Sequence, residues 1–248
     1  MTENPILVTG IARSGTSLIA GVINMCGAFG GRMAVGGSVR RGMFENIRIR
    51  ETLVKAYLSR TGFDVEGQYP LPQDVAIPMN WKDEVEKAME AEGYEKGPWM
   101  YKDTRMGLMW PVWNYAFPDA KWVIVRRKTT DVVQSCVKTG FMKAFKQVST
   151  RHELGFTTEE EGWLWWIHEH EKRFVEMITE GLNCKVIWPE RMVTGNYKQL
   201  YELLDWLGLE WKTEVLEFID SSLWKSRQKK GGDNGSKNDS SRSEADNG

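Results

Sequence analysis

Three short runs, rich in β-branched and aromatic residues and bounded by turn formers, read as buried strands. They are Pro5-Ile-Leu-Val-Thr9 before Gly10, Lys121-Trp-Val-Ile-Val125 after Pro118, and Cys184-Lys-Val-Ile-Trp188 before Pro189. Trp99-Met-Tyr-Lys102 reads as a fourth candidate. Helical spacing fills the intervals. Thr16 to Met25 carries Leu18, Ile19, Val22 and Ile23, and Phe44 to Tyr57 carries Phe44, Ile47, Leu53 and Val54. Trp81 to Gly93, Trp110 to Phe117, Asp131 to Val137, Thr158 to Leu182 and Tyr197 to Leu207 follow, several of them closed by a Gly or Pro. Gly27 to Arg41 is Gly-rich and basic and reads as a loop, while Gly62 to Asn80 holds three of the eight prolines and is irregular. Strands alternating with helices predict an α/β fold of three layers, α/β/α. Its central sheet is mostly parallel, because parallel strands need crossover connections. After Trp224 the pattern stops. Gly231 to Gly248 offers no apolar face, so residues 228–248 read as a disordered tail behind one domain at 1–227.

Composition narrows the class. The 248 residues hold 33 Lys+Arg against 34 Asp+Glu, and 41% are apolar, enough for a full core. A net charge of −1 argues against a protein that coats nucleic acid, leaving only a local basic groove open. No apolar run approaches the roughly 20 residues of a membrane span, and Met1 to Pro5 lacks the basic start of a signal peptide. Cys26, Cys136 and Cys184 are odd in number and widely spaced, which argues for a reducing compartment and against a zinc site. The expectation is a cytoplasmic protein; nothing in the pattern speaks to its oligomeric state.

The chemistry begins after the first strand. Gly10-Ile-Ala-Arg-Ser-Gly-Thr-Ser17 joins a buried strand to a helix. Glycines let successive backbone N–H groups turn inward, and the helix N-terminus adds partial positive charge, so the segment suits a phosphate. Gly10, Ser14 and Gly15 shape the turn, Thr16 and Ser17 bring hydroxyls, and Arg13 brings a cation. The alternative is an ordinary Gly-rich turn. The spacing is that of the P-loop, GxxxxGK[ST], with Thr16 where nucleotide triphosphatases keep lysine. A second basic turn follows the strand at 121–125. Arg127 leaves its carboxyl end, where ligands bind in open α/β sheets, and Ser135 follows eight residues later. A solvated turn with Asp131 as helix cap is the plainer alternative. Two anion-binding strand ends in one sheet suit a ligand phosphorylated at two places.

These two segments carry a resemblance. Strand-Gly-x-x-Arg-Ser-Gly-Thr-Ser resembles the 5′-phosphosulfate loop of sulfotransferases that use 3′-phosphoadenosine 5′-phosphosulfate (PAPS). Arg127-Lys-Thr-Thr-Asp131-Val-Val-Gln-Ser135 is similar to their 3′-phosphate signature, R-x-P-x-D-x-x-x-S, with Thr129 in place of proline. Lys102-Asp-Thr-Arg105 with Phe117 to Val125 resembles the stretch leading into that signature, and Leu203 to Leu209 resembles the family's late helix. Lys229-Lys-Gly-Gly232 resembles its late basic element. Arg13 stands where the cytosolic enzymes have lysine.

The resemblance implies a P-loop-type α/β fold and transfer of a sulfuryl group from PAPS to a hydroxyl or amine of an unidentified acceptor, without a metal. It implies catalytic roles for Arg13 and for a base placed after the loop. Glu45 is the first candidate for that base, unless it is only an acid at a helix start, and Asp103 is the second unless it merely pairs with its basic neighbours. A small-molecule kinase is the rival enzyme, and a catalytically silent nucleotide-binding module is the rival of another class. His152 lies near Gly155 in a loop-like stretch where it is solvated or touches an acceptor. His168 and His170 sit about 200° apart on a helix and cannot share a metal. Trp163 and Trp166 share a helix face, as core residues do, and Trp81 or Trp99 is a candidate to stack on adenine.

Overall fold

Each apolar run finds its partner in another, and the pairings fix the sheet. β1 (Ile6–Gly10), β2 (Met100–Lys102), β3 (Lys121–Val125) and β4 (Cys184–Ile187) lie in the order β2-β1-β3-β4, and every pairing is parallel. The computed structural model describes residues 3–34, 42–72 and 74–219. The expected tail at 228–248, with Lys229 and Lys230, and the later part of the Gly27–Arg41 segment therefore lie outside the described residues. Helices α1 (Thr16–Met25), α2 (Lys55–Arg60), α3 (Trp81–Glu90), α4 (Trp110–Ala116) and α5 (Thr129–Lys138) are followed by α6 (Val148–Glu153), α7 (Glu159–Thr179), α8 (Pro189–Met192), α9 (Lys198–Leu207) and α10 (Val215–Phe218).

The two-residue alternation of the strands sorts the core into two layers. Leu7, Tyr101, Trp122 and Ile124 face the larger one, which α3, α4, α5 and α7 close. Ile6, Val8, Met100, Val123, Val125 and Ile187 face the other, beneath α1 and α9. Trp99, Trp113, Trp122, Trp163 and Trp166 are among the largest fully buried side chains. Each such burial contributes about 1.5–3 kcal/mol. The expected α/β/α sandwich with its parallel sheet is the observed one. In the order β2-β1-β3-β4 the connections leave β1 and β3 toward opposite sides, so the crevice lies beyond the carboxyl ends of these two central strands. The two anion motifs follow those same strands.

Several boundaries differ from the pattern. The helix expected from Phe44 starts later: Asn46 forms a bridge with Met33, and its Oδ1 accepts the Ile49 N–H at 3.0 Å. A π-helical stretch, Ile49–Val54, then leads into α2. The stretch around His152 is helical, as α6, although it buries no side chain. Asp131 is not the cap of α5; Lys128 holds that position, and Asp131 sits in the first turn. The long helix α7 starts as its acids suggest, with a capping box in which Thr158 and Glu161 bond each other's backbone N–H. Gly208 ends α9 at φ 77°, a left-handed position that suits glycine.

Candidate active site

The loop after β1 is held in a shape that few sequences accept. Gly10 has φ 155°, and a Cβ there would lie 2.3 Å from the Val125 carbonyl oxygen, so only glycine lets β1 end this close to β3. Arg13 stands at φ 73°, left-handed for a residue with a side chain, and Gly15 follows at φ 99° as the N-cap of α1. A non-glycine residue costs about 1–2 kcal/mol in that region, and such strain persists where the surroundings over-determine it. Left-handed positions flanking Ser14 turn neighbouring N–H groups toward one concavity. At the start of α1 the Thr16 and Ser17 amides come before the first intrahelical bonds, which the Leu18 and Ile19 N–H groups make to the Gly15 carbonyl.

The structure joins the two sequence motifs directly. Arg13 Nε donates to Ser135 Oγ of α5 at 3.0 Å, and Arg127 Nη1 donates to the Arg13 carbonyl at 3.0 Å. Asp131 stands 3.9 Å from Arg127. Burial pushes both guanidiniums below their ordinary range, and for Arg127 the neighbouring Arg13 adds to the effect against the pull of Asp131. Cations held at such a cost make this turn a candidate anion site. Ser14 is fully buried and its Oγ has no hydrogen-bond partner among the described residues. Ser135 accepts from Arg13 and keeps its own O–H to give. Thr16 is buried within the loop, whereas Ser17 Oγ donates to the Met43 carbonyl at 3.2 Å. That contact brings the segment before Glu45 against α1.

A second polar cluster occupies the end of β2. Lys102 pairs in register with Val8, and its Nζ donates to Glu45 Oε1 at 2.7 Å. Glu45 Oε2 lies 3.3 Å from Arg50 and 3.8 Å from Arg105. Asp103 accepts from Arg105 Nε, Nη2 and backbone N–H and from the Tyr101 hydroxyl, all at 2.7–2.9 Å. Four bonds are the capacity of a carboxylate, so Asp103 has no lone pair left for substrate. Burial pushes Asp103 up, but the Arg105 guanidinium outweighs it and holds the carboxyl below the usual range. Arg105 is correspondingly raised: burial opposes its charge and Asp103 more than restores it. Of the two base candidates, only Glu45 retains accepting capacity. Lys102 had no assigned role in the sequence. A lysine closing an otherwise buried strand is the signal that marks it.

Other candidates are placed elsewhere. Trp81 and Trp99 are both core residues, Trp81 edge-on to Trp113 and Trp99 donating to the Glu3 carbonyl, so neither offers a face to a nucleotide. Trp163 and Trp166 pack in the core as their spacing predicts. His152 and His168 are exposed, and His170 is buried against Trp166, its pKa pushed down to about 4 by burial. Cys136 adjoins Ser135, and burial pushes its thiol up to about 12, far from a reactive thiolate. Among the described residues no three His, Cys, Asp or Glu side chains gather as a metal site, and no helix is long and apolar enough to cross a membrane. An open cleft of about 450 Å³ adjoins the loop; Phe141 lines it and lies 5.8 Å beneath the Arg13 guanidinium.

Comparison with solved structures matches this architecture. A sulfotransferase from Mycobacterium avium superposes with a TM-score of 0.56 at 12% identity, over 92% of this chain and 69% of that one. The sulfotransferase domain of the curacin biosynthetic pathway gives 0.54 at 14% identity, over 87% and 77%. A sulfotransferase from Alicyclobacillus acidocaldarius gives 0.50 at 13% identity, over 88% and 90%. The chain has the sulfotransferase fold. No protein-family model and no curated protein matches its sequence.

Proposed function

We propose that this protein is a sulfotransferase that draws on PAPS and delivers the sulfuryl group to an acceptor hydroxyl or amine. The observation that carries the reading is the hydrogen-bonded junction of the two motifs, Arg13 to Ser135 and Arg127 to the Arg13 carbonyl, in a chain of this fold. The loop fits the donor's 5′-phosphosulfate: Gly10 leaves room where a Cβ would collide, and the buried Ser14 hydroxyl lacks a protein partner among the described residues.

Gly10, Arg13, Ser14, Gly15, Thr16 and Ser17 would cradle the 5′-phosphate, and Arg127 with Ser135 would hold the 3′-phosphate. When bound, PAPS supplies the sulfuryl group: the acceptor's oxygen or nitrogen bonds to sulfur as the bond from sulfur to the 5′-phosphate oxygen breaks, and the nucleotide keeps that electron pair. Arg13 and the inward N–H groups then stabilise charge growing on the leaving phosphate, from positions fixed before the reaction. Glu45 takes the acceptor's proton on a lone pair that Lys102 and Arg50 leave open. Lys102 holds that carboxylate in place through its 2.7 Å bond to Oε1.

Calorimetry with 3′,5′-bisphosphoadenosine (PAP), AMP and ATP, each with and without magnesium, tests the reading. PAP should bind about 10- to 150-fold more tightly than AMP without metal, the worth of charge-assisted contacts to one phosphate. Equal affinity for PAP and AMP, or a preference for magnesium–ATP, overturns it.

A further inference from the structure

The cleft under Arg13 is built from two segments that nothing above has used. Asp64, Gln68 and Tyr69 come from the irregular stretch after α2, and Phe141, Lys143 and Gln147 come from the stretch between α5 and α6. Gln68 fastens one wall to the other. Its Nε2 donates to the Phe141 carbonyl at 2.8 Å, while its Oε1 accepts the Lys143 and Ala144 N–H groups at 2.8 and 3.0 Å. Tyr69 adds a bond from its hydroxyl to the Ala144 carbonyl at 3.3 Å. The walls are therefore set before any ligand arrives, which lowers the ordering cost of binding.

We infer that this cleft is the acceptor site and that its chemistry selects a neutral or amino sugar, offering a ring hydroxyl to Arg13's side. The identification as an acceptor site rests on the sulfotransferase reading; the sugar chemistry rests on the lining. Two aromatic rings, Tyr69 and Phe141, stand on the cleft, and Phe141 is 47% exposed although it lies between the lining and Arg13. Such faces suit the C–H side of a sugar ring, because an aromatic edge or face packs on apolar hydrogens. Around them the polar groups are of both kinds. Asp64 spends one lone pair on the Glu66 N–H and one on the Gln68 N–H, keeping the rest for a ligand, and Lys143 and Gln147 are exposed donors. Sugar hydroxyls both donate and accept, so a mixed lining serves them at several positions, whereas a phenol presents one such group.

Size and charge point the same way. A volume of about 450 Å³ equals roughly fifteen water molecules at about 30 Å³ each, room for a ring or two with solvent. The cleft is open, and its lining mixes polar groups with aromatic ones, unlike the largely apolar, enclosing sites that drug-like and sterol-like molecules fill. Asp64 and Glu66 face it against Lys143, with Lys55 offsetting Glu66 from behind at 3.2 Å. These charges balance, so an acceptor that already carries a carboxylate or sulfate finds no excess of cations on the lining to offset the desolvation of its charge.

The full chain is titrated, with and without PAP, against methyl β-glucoside, methyl β-glucosaminide, methyl β-glucuronide and 4-nitrophenol, read by saturation-transfer NMR and calorimetry. The first two should bind saturably through their ring C–H protons without competing with PAP, and the glucuronide more weakly. Gln147→Ala, at an exposed position, should weaken the glucoside about 3- to 10-fold, the worth of one or two hydrogen bonds, with PAP affinity unchanged. Phe141→Ser should weaken it as well. Absence of glycoside binding, tighter binding of 4-nitrophenol than of every glycoside, or indifference to both substitutions overturns the inference. PAP binding without sugar binding discards only the sugar; sugar binding without PAP discards the sulfotransferase reading and leaves a carbohydrate site.

Discussion

Two clusters of charge lie at the carboxyl edge of the same sheet, and they treat arginine in opposite ways. At the end of β2, Arg105 is nearly buried, yet Asp103 meets it with a bidentate bond and its charge is favoured. At the end of β1 and β3, Arg13 and Arg127 are partly buried, and burial disfavours their charge. The first cluster is complete within the protein and works as a frame. In the second, burial disfavours both guanidiniums, and the Ser14 hydroxyl has no partner among the described residues. A buried hydroxyl without a partner is costly, so an arrangement of this kind suits a ligand that bonds it. Glu45 stands at the border: it belongs to the frame through Lys102 and retains lone pairs for chemistry.

The sharpest break of that contrast is at Glu45. Glu45→Gln keeps the shape and, through its one amide oxygen, the bond to either Lys102 or Arg50, but removes the proton acceptor. Turnover should fall by roughly 10²–10⁴, the usual worth of a general base, while PAP affinity stays within a few-fold. A loss of PAP affinity in step with turnover would place Glu45 wholly in the frame.

Asp103→Ala attacks the frame itself. Removing one partner of a buried pair strands the other, here Arg105, and should cost about 3–5 kcal/mol in chemical denaturation. A cost below about 1 kcal/mol would mean that the pair is not closed to water as described. Acid should act on the same bond. The folded carboxyl titrates below its unfolded value of about 3.9, so its contribution is intact above that value and is lost as pH falls through the lower folded one.

His170 gives an earlier acid signal that must be kept apart from the frame. Burial pushes it down to about 4, whereas the unfolded side chain takes up its proton near 6.5. The unfolded state then binds more protons between those values, so stability falls as pH drops through the window, by about 3 kcal/mol when complete. His170→Gln should flatten that part of the pH–stability curve and leave the loss below pH 4.

The pairing of Asp103 with its basic neighbours was legible, as was the open cluster, and the bond from Glu45 to Lys102 was not; the reason is locality. Gly10 to Ser17 is one contiguous turn whose glycines, hydroxyls and arginine declare their use by position, and Arg127 to Ser135 is another. Their direct contact, Arg13 to Ser135, spans 122 positions and no pattern announces it. The frame mixes the two: Asp103 pairs with Arg105 only two positions on, whereas Glu45 with Lys102 is a distant pair, as is Gln68 with Phe141 for the cleft. The late start of the helix after Asn46 has the same origin, since its side chain is drawn to Gly30 and Glu92. Strands and long helices were legible because period two and period 3.6 record burial directly. The π-helical turn and the surface helix α6 bury too little in a regular pattern to be read.

Arg127→Ala should move binding and leave the frame alone. Arg127 ties the loop through the Arg13 carbonyl, and on the proposed function it would contribute a guanidinium to the 3′-phosphate. PAP should lose about 1.5–3 kcal/mol, AMP much less, and the salt dependence of PAP binding should weaken. Equal losses for both nucleotides would assign Arg127 to loop shape instead of the 3′-phosphate.

Ser14→Ala is the smallest change and the one that tests the comparison most directly, because its two effects should have opposite signs. In the free protein the Oγ is buried without a partner among the described residues, and leaving a hydroxyl so placed is unfavourable. Alanine keeps the Cβ and removes the orphan, so the free protein should gain up to about 1 kcal/mol of stability in denaturant titration. On the proposed function the hydroxyl would bond a phosphate oxygen of PAP, and alanine should then lose about 1–2 kcal/mol of affinity. A residue of the closed frame cannot behave this way: removing any of its partners destabilises the protein with or without ligand. If Ser14→Ala destabilises the free protein and leaves PAP affinity unchanged, the hydroxyl is satisfied within the loop, and the open character of that cluster rests on its arginines alone.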